Sequence, residues 1–127
     1  MAGFAMRTIL GVTDVEVFFE EEGETWTFHW GSAGHVVTFF VPPGPREPGQ
    51  LWYVVFQPSS RSAPVPHLLA IILSAVTALL TGGTLDDGDF PFERPKLDPE
   101  ALLAQVLREA PLELETAIHL LRTGRLP

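Results

Sequence analysis

A stretch without any Asp, Glu, Lys or Arg, residues 62–85, constrains the fold of this chain more than any other feature. It opens with Pro64 and Pro66 and closes around Gly82 and Gly83, and its densely apolar centre is 13 residues long. A helix that spans a membrane needs about 20 residues, so at a rise of about 1.5 Å per residue this centre covers about two-thirds of the hydrocarbon core. We therefore expect a buried core helix and no membrane span.

The residues before this stretch alternate between apolar and other side chains with a period of two, which is typical of β-strands. The pattern predicts four strands, at residues 15–20, 25–30, 35–41 and 51–56. Short turns at residues 21–24 and 31–34 join the first three, and a Pro-rich loop at residues 42–49 precedes the fourth. Because consecutive strands joined by short connections usually pair, we expect a four-stranded antiparallel meander. An additional short strand fits residues 7–11.

After the fourth strand the apolar period changes to that of helices. Residues 65–80 are apolar on nearly every side, which is expected of a helix that lies against a sheet and is covered by other elements. Two further helices follow, one with Asp98 as its N-cap and one over residues 112–122, with Gly124 as the stop after it. Strands first and helices second indicate an α+β fold, in which about three helices pack on one face of an N-terminal sheet of about four strands. We expect a single domain over residues 1–127.

The charge of the chain excludes some classes of function. Acidic residues outnumber basic ones by 16 to 8, which gives a net charge of −8. A nucleic-acid-binding protein needs a basic face to neutralise phosphates, so this charge argues against that class. The chain has no cysteine, which excludes disulfides, a thiolate nucleophile and a Cys-ligated zinc site. Its N-terminus has no basic segment ahead of a continuous apolar stretch, so we expect no signal peptide and a cytoplasmic location.

The chain has no residue pattern specific for catalysis or metal binding. The four histidines lack metal-binding spacing; they are His29, His35, His67 and His119. His29 and His35 can meet across a predicted hairpin, but two imidazoles hold a metal ion only with a third ligand nearby. Residues 86–89, Asp-Asp-Gly-Asp, resemble a calcium loop in composition but lack its order of ligands. We expect no catalytic residue, no cofactor and no metal.

Two clusters of acidic residues are the candidate binding sites. They comprise Glu20, Glu21, Glu22 and Glu24 around the first predicted turn, and Asp86, Asp87 and Asp89 after the long helix. Most runs of charge are solvated loops that keep a protein in solution. The alternative is a negative surface matched to a basic partner, where charge complementarity speeds encounter and sets specificity. We take the two clusters as the predicted partner-binding residues.

Aromatic residues line the predicted strands and allow two interpretations. One set shares the strand faces expected to point inward, and it comprises Trp26, Phe28, Trp30, Trp52 and Phe56. These residues form the core beneath a helix, or they line a ligand cavity. Phe18, Phe40 and Tyr53 are expected on the opposite face, where they form a contact surface if no helix covers them.

Residues 77–88 read Thr-Ala-Leu-Leu-Thr-Gly-Gly-Thr-Leu-Asp-Asp-Gly and follow a meander with a Trp-rich strand. This arrangement resembles small acidic α+β immunity proteins of bacterial polymorphic-toxin and contact-dependent systems, several of which close a helix with Gly-Gly before a short acidic strand or turn. The resemblance covers the middle part of the chain and assigns no individual residue a role. It implies a cytoplasmic bacterial protein without catalytic residues that binds one cognate toxin and blocks its active site.

Three functions are open at this point. The first is an immunity protein whose acidic loops, residues 20–24 and 86–89, occlude the cleft of a cognate toxin. The second is an acidic secretion chaperone, typically dimeric, whose exposed apolar sheet face holds an unfolded segment of an exported effector. The third is a small-ligand-binding domain with a cavity lined by Trp26, Trp30, Trp52 and His29. We expect a monomer or a homodimer.

Overall fold

A computed structural model describes residues 2–12, 15–23, 25–32, 34–41, 53–59, 63–85 and 98–127, without the side chains of residues 39–41 and 53. Within these residues the elements are, in chain order, α1 (Ala2–Leu10), β1 (Val17–Glu22), β2 (Thr25–Trp30), β3 (Gly34–Val41), β4 (Tyr53–Pro58), α2 (Pro64–Thr81), α3 (Pro99–Glu109) and α4 (Leu114–Thr123). The predicted α+β class and the predicted antiparallel sheet are confirmed.

The four strands form one sheet in the order β1-β2-β3-β4, with every neighbouring pair antiparallel. This is the predicted meander. Gly23 and Gly31 have positive φ angles of 60° and 54°, which allows the tight turns after β1 and β2. β4 ends two residues later than predicted, at Pro58, and the predicted strand positions 51 and 52 lie outside the described residues.

α2 is the central layer of the molecule. On one side it packs against β2, β3 and β4, and on the other it contacts α1, α3 and α4. Ten of its 18 residues are buried, which explains why the sequence of this helix is apolar on nearly every side. α2 is also long and apolar enough to cross a membrane by length and composition, but here its apolar side chains pack against the sheet and the other helices.

The N-terminal helix α1 corrects the sequence analysis, which places a short strand at residues 7–11 and expects about three helices. Ala5, Met6 and Ile9 are buried and lie on one side of the helix, in contact with α2, α3 and α4. The Leu112 N–H donates a hydrogen bond of 2.6 Å to the Ile9 carbonyl and ties the end of α1 to the connection between α3 and α4. A nine-residue segment has only a weak intrinsic preference for one secondary structure, so these tertiary contacts decide that it is helical.

The predicted N-cap of α3 and the predicted glycine stops after α2 and α4 agree with the structure. The Asp98 carboxylate accepts a hydrogen bond of 3.1 Å from the backbone N–H of Glu100 and caps α3. At the end of α2, the Gly83 N–H donates to the Ala78 carbonyl at 2.9 Å. Gly124 follows α4 with a φ of 78°, as expected for a helix stop. α4 itself begins at Leu114, two residues later than predicted.

Candidate interaction surface

β1 lies at one edge of the sheet and is exposed along most of its length. Its first residue is half-buried, and residues 18–22 are all exposed. Phe18 and Phe19 keep 49% and 60% of their surface exposed. Large aromatic side chains are usually withdrawn from water, so two neighbouring exposed phenylalanines on one strand mark a surface that can bind a partner. We call residues 18–22 the β1 surface.

The two faces of the sheet differ in what covers them. In the strand register Val17 pairs with Trp30, and Phe28 pairs with Val36, so these residues share the face on which α2 packs. The other face carries every second residue, beginning with Phe18. Among the described elements, no helix packs on this second face, which we call the open face.

Three rings form a row across the open face. Phe18 and His29 are stacked, with ring centroids 4.8 Å apart and an interplanar angle of 11°. His29 pairs with His35 in the register, and their ring centroids are 5.6 Å apart. The predicted meeting of the two histidines across the hairpin is therefore confirmed. Just after β4, the Ser59 hydroxyl accepts a hydrogen bond of 3.4 Å from the backbone N–H of His35.

The Glu20 carboxylate lies beside this row. Its Oε2 atom lies 3.5 Å from Nε2 of His29, which makes an ion pair when the imidazole is protonated. Within the described residues, however, no group of three or more His, Asp or Glu side chains is placed to hold a metal ion.

Phe19 lies on the face that α2 covers, but beyond the reach of that helix. α2 packs over β2, β3 and β4, whereas β1 extends past it. Phe19 instead contacts two aromatic rings of β2, with centroids 6.5 Å from Trp26 and 5.8 Å from Phe28. The β1 surface consequently has an exposed phenylalanine on each side of the sheet.

Two residues of the first acidic cluster lie in a different element from the one predicted. Glu21 and Glu22 lie within β1 and not in the turn, because the strand continues to Glu22. Alternation places Glu21 on the side of α2 and Glu20 and Glu22 on the open face. All three are exposed. The remaining predicted residues lie outside the described part of the chain; they are Glu24, Asp86, Asp87 and Asp89.

The aromatic residues are divided between the two faces. Trp30 is buried against the helical layer, as the core interpretation expects. His29 lies on the opposite face from Trp26 and Trp30, so these three do not line a shared cavity. In the register Phe40 pairs with Val54, on the side of α2, which corrects the expectation that it shares a face with Phe18.

The position of Tyr53 agrees with the expected face, because it pairs with Val41 on the side of Phe18. Trp52 lies outside the described residues. The edge position of β1 is the feature that the sequence analysis missed. A signal for it existed, since the first strand of a meander has a neighbour on one side only.

No family model, curated protein or solved structure matches this chain.

Proposed function

We infer that this chain is a non-enzymatic binding protein, and most concretely a cytoplasmic immunity protein that neutralises a cognate bacterial toxin through an acidic surface. The observation that carries this proposal is the β1 surface, where three consecutive glutamates follow two exposed phenylalanines. Exposed aromatic residues supply contact area, and carboxylates supply charge that selects a basic partner.

The charge of the whole chain supports the same class of partner. A net charge of −8 attracts a basic protein from a distance and repels an acidic one. A toxin that acts on nucleic acid needs a basic cleft to bind phosphates. An acidic inhibitor that covers such a cleft binds the toxin and excludes its substrate with the same contacts.

The experiment begins with capture of the tagged protein from its native lysate and identification of its partners by mass spectrometry. The captured partner is then expressed alone in a bacterial host, where we expect growth arrest, and together with this protein, where we expect rescue. A partner that does not impair growth, or a toxin that this protein fails to neutralise, contradicts the proposal.

Charge reversal tests the assigned surface. Glu21→Lys/Glu22→Lys changes two exposed carboxylates that form no ion pair within the described residues. We expect association with the partner to slow about tenfold or more, because the steering charge is reversed at the contact. The matched control, Glu113→Lys/Glu115→Lys, changes the net charge equally at exposed positions around the start of α4. Equal effects of the two double variants would contradict the assignment of the surface.

The open face favours one second candidate, a secretion chaperone. Phe18 is exposed on this face beside the stacked ring of His29, as expected for a surface that holds an apolar segment. The two functions differ in their partners and in oligomeric state. Capture of secreted, non-toxic proteins would favour the chaperone, and so would a dimeric state of this chain measured by light scattering.

A further inference from the structure

The free edge of β1 is the feature from which the mode of binding can be inferred. In an edge strand every second residue directs its backbone N–H and C=O away from the sheet. The backbone of β1 bonds to β2, and the Thr25 hydroxyl donates to the Glu22 carbonyl at 2.9 Å. No other described residue makes a hydrogen bond to the backbone of Val17–Glu22. Among the described residues, only the Thr25 hydroxyl therefore competes with an added strand for the backbone groups of β1 that do not bond to β2.

β1 lacks several of the features with which edge strands usually avoid such pairing, but its three glutamates are one of those features. Proteins protect edges with proline, bulges, very short strands, charged side chains or a covering helix or loop. β1 is six residues long and contains no proline or glycine. Its exposed phenylalanines favour contact with further apolar side chains on both faces of the sheet. The glutamates disfavour pairing with an acidic strand and favour a strand that places basic side chains opposite them.

We propose that β1 receives an extended segment of the partner protein as a fifth, antiparallel strand, in which basic residues lie opposite Glu20, Glu21 and Glu22 and apolar residues lie opposite Phe18 and Phe19. Cross-strand neighbours of opposite charge stabilise such a pair, and so do apolar neighbours. Backbone hydrogen bonds supply affinity, and the side chains supply specificity. The inference rests on the proposed function, because it describes how the toxin is held.

Charge argues against a second copy of this chain as the occupant. An antiparallel pairing that places Phe18 of one copy opposite Phe19 of the other also places Glu21 opposite Glu16, twice by symmetry. Glu16 is exposed, and like charges directly opposite each other destabilise a strand pair. Each copy carries a net charge of −8 in addition. A basic segment avoids both penalties.

The probe is a synthetic peptide with the order that this pairing requires, three basic residues followed by two apolar ones: acetyl-Thr-Lys-Arg-Lys-Val-Tyr-Thr-amide. Its binding to the full chain is followed by NMR, through shifts and hydrogen exchange of the backbone amides. We expect shifts in β1 and slowed exchange of those β1 amides that do not bond to β2. Shifts confined to other elements, or no binding at 1 mM peptide, which is on the order of the weakest specific affinities, would overturn the proposal.

Backbone methylation separates strand addition from simple charge attraction. Two further peptides carry N-methyl groups on odd or on even residues, with every side chain unchanged. Only one of these sets faces β1 in an added strand, so we expect one peptide to bind about tenfold or more weakly and the other to bind normally. Equal binding of both methylated peptides would show attraction by charge alone and overturn strand addition.

Substitution of Phe18 and Phe19 tests strand addition by changing the protein instead of the peptide. Phe18→Ser/Phe19→Ser is expected to weaken peptide binding about tenfold or more, since both apolar contacts are lost. The matched control is Phe4→Ser, because Phe4 is also exposed, at 62%, but lies on α1. Thermal unfolding of each variant verifies that it is folded. Equal binding by the folded double variant and the control would contradict a role for the β1 phenylalanines.

Failure of this inference is distinguishable from failure of the proposed function. If the protein neutralises a toxin while the peptide does not bind β1, the immunity function stands and strand addition is wrong. If the peptide adds to β1 while no captured partner is toxic, strand addition stands and the immunity function is wrong.

Discussion

α2 and β1 are both rich in large apolar side chains, but their surroundings are opposite. α2 has protein on both sides, the sheet on one and three helices on the other. β1 has one strand as its neighbour and leaves five of its six residues exposed. The charges follow this difference, because α2 contains no Asp, Glu, Lys or Arg and β1 ends in three glutamates.

Whether a helix covers a strand decides which apolar side chains of the sheet are buried. Phe19 lies on the same face of the sheet as Trp30, yet the first is 60% exposed and the second 4%. The difference arises because one helix is narrower than a four-stranded sheet. Adjacent strands lie about 4.8 Å apart, whereas a helix with its side chains is about 10 Å wide. A strand at the edge is therefore left outside the contact.

The largest difference in stability between α2 and β1 is expected when one apolar side chain is truncated in each. Leu69→Ala removes a fully buried leucine of α2 and should cost about 2–5 kcal/mol of unfolding free energy, because it leaves a cavity in the central layer. Phe19→Ala should cost less than about 1 kcal/mol, since most of its side chain already contacts water. Urea unfolding measures both values. Similar losses would show that β1 is more deeply covered than the structure indicates.

α2 approaches the sheet closely where Pro66 packs against Gly34, and one added methyl group would disrupt this contact. A Cβ atom at Gly34 would lie 2.6 Å from Cγ of Pro66, so Gly34→Ala should destabilise the fold by about 1–3 kcal/mol. Pro66→Ala in the same chain removes the clashing ring atoms, and we expect part of the loss to be recovered. Additive losses in this double-mutant cycle would contradict a direct clash. Ser32→Ala, in the exposed turn just before Gly34, is the matched control.

A threonine hydroxyl is buried on the face of the sheet that α2 covers. Thr38 is 2% exposed, and its Oγ1 atom has no hydrogen-bond partner within the described residues. An unsatisfied buried hydroxyl costs about 1–3 kcal/mol, so Thr38→Val should raise the stability by about 1 kcal/mol. Thr27→Val, at a half-buried position of the open face, should have a smaller effect. Thermal unfolding compares the two, and a loss of stability in Thr38→Val would show that the hydroxyl is paired.

The smallest effect is expected at the ion pair of the open face. Glu20→Gln removes the charge 3.5 Å from His29, but the carboxylate is 71% exposed and water screens it. We expect a change in stability within about 0.5 kcal/mol at pH 7. Glu22→Gln, which lies on the same face without an ion pair in the described residues, is the reference. A markedly larger loss in Glu20→Gln would mean that the pair organises the row of rings.

Local sequence signals predicted most of the fold. Alternation with a period of two gave the strands and the meander, and the charge-free stretch gave a buried helix with protein on both sides. Asp98, Gly83 and Gly124 marked helix ends correctly because capping depends on a few neighbouring residues. α1 was missed although Arg7 lies in its last turn and Gly11, with a φ of 69°, follows it as a helix stop; contacts with three other helices stabilise it.

Patterns carried by nearby residues are enough to predict the class of fold, the central position of α2 and the acidic character of the chain. The packing of the elements, in contrast, places Glu21 and Glu22 in a strand, leaves β1 beyond α2 and stacks Phe18 on His29. These features depend on which elements cover one another. That coverage follows from the width of a helix against the width of a sheet, which no local pattern of side chains encodes.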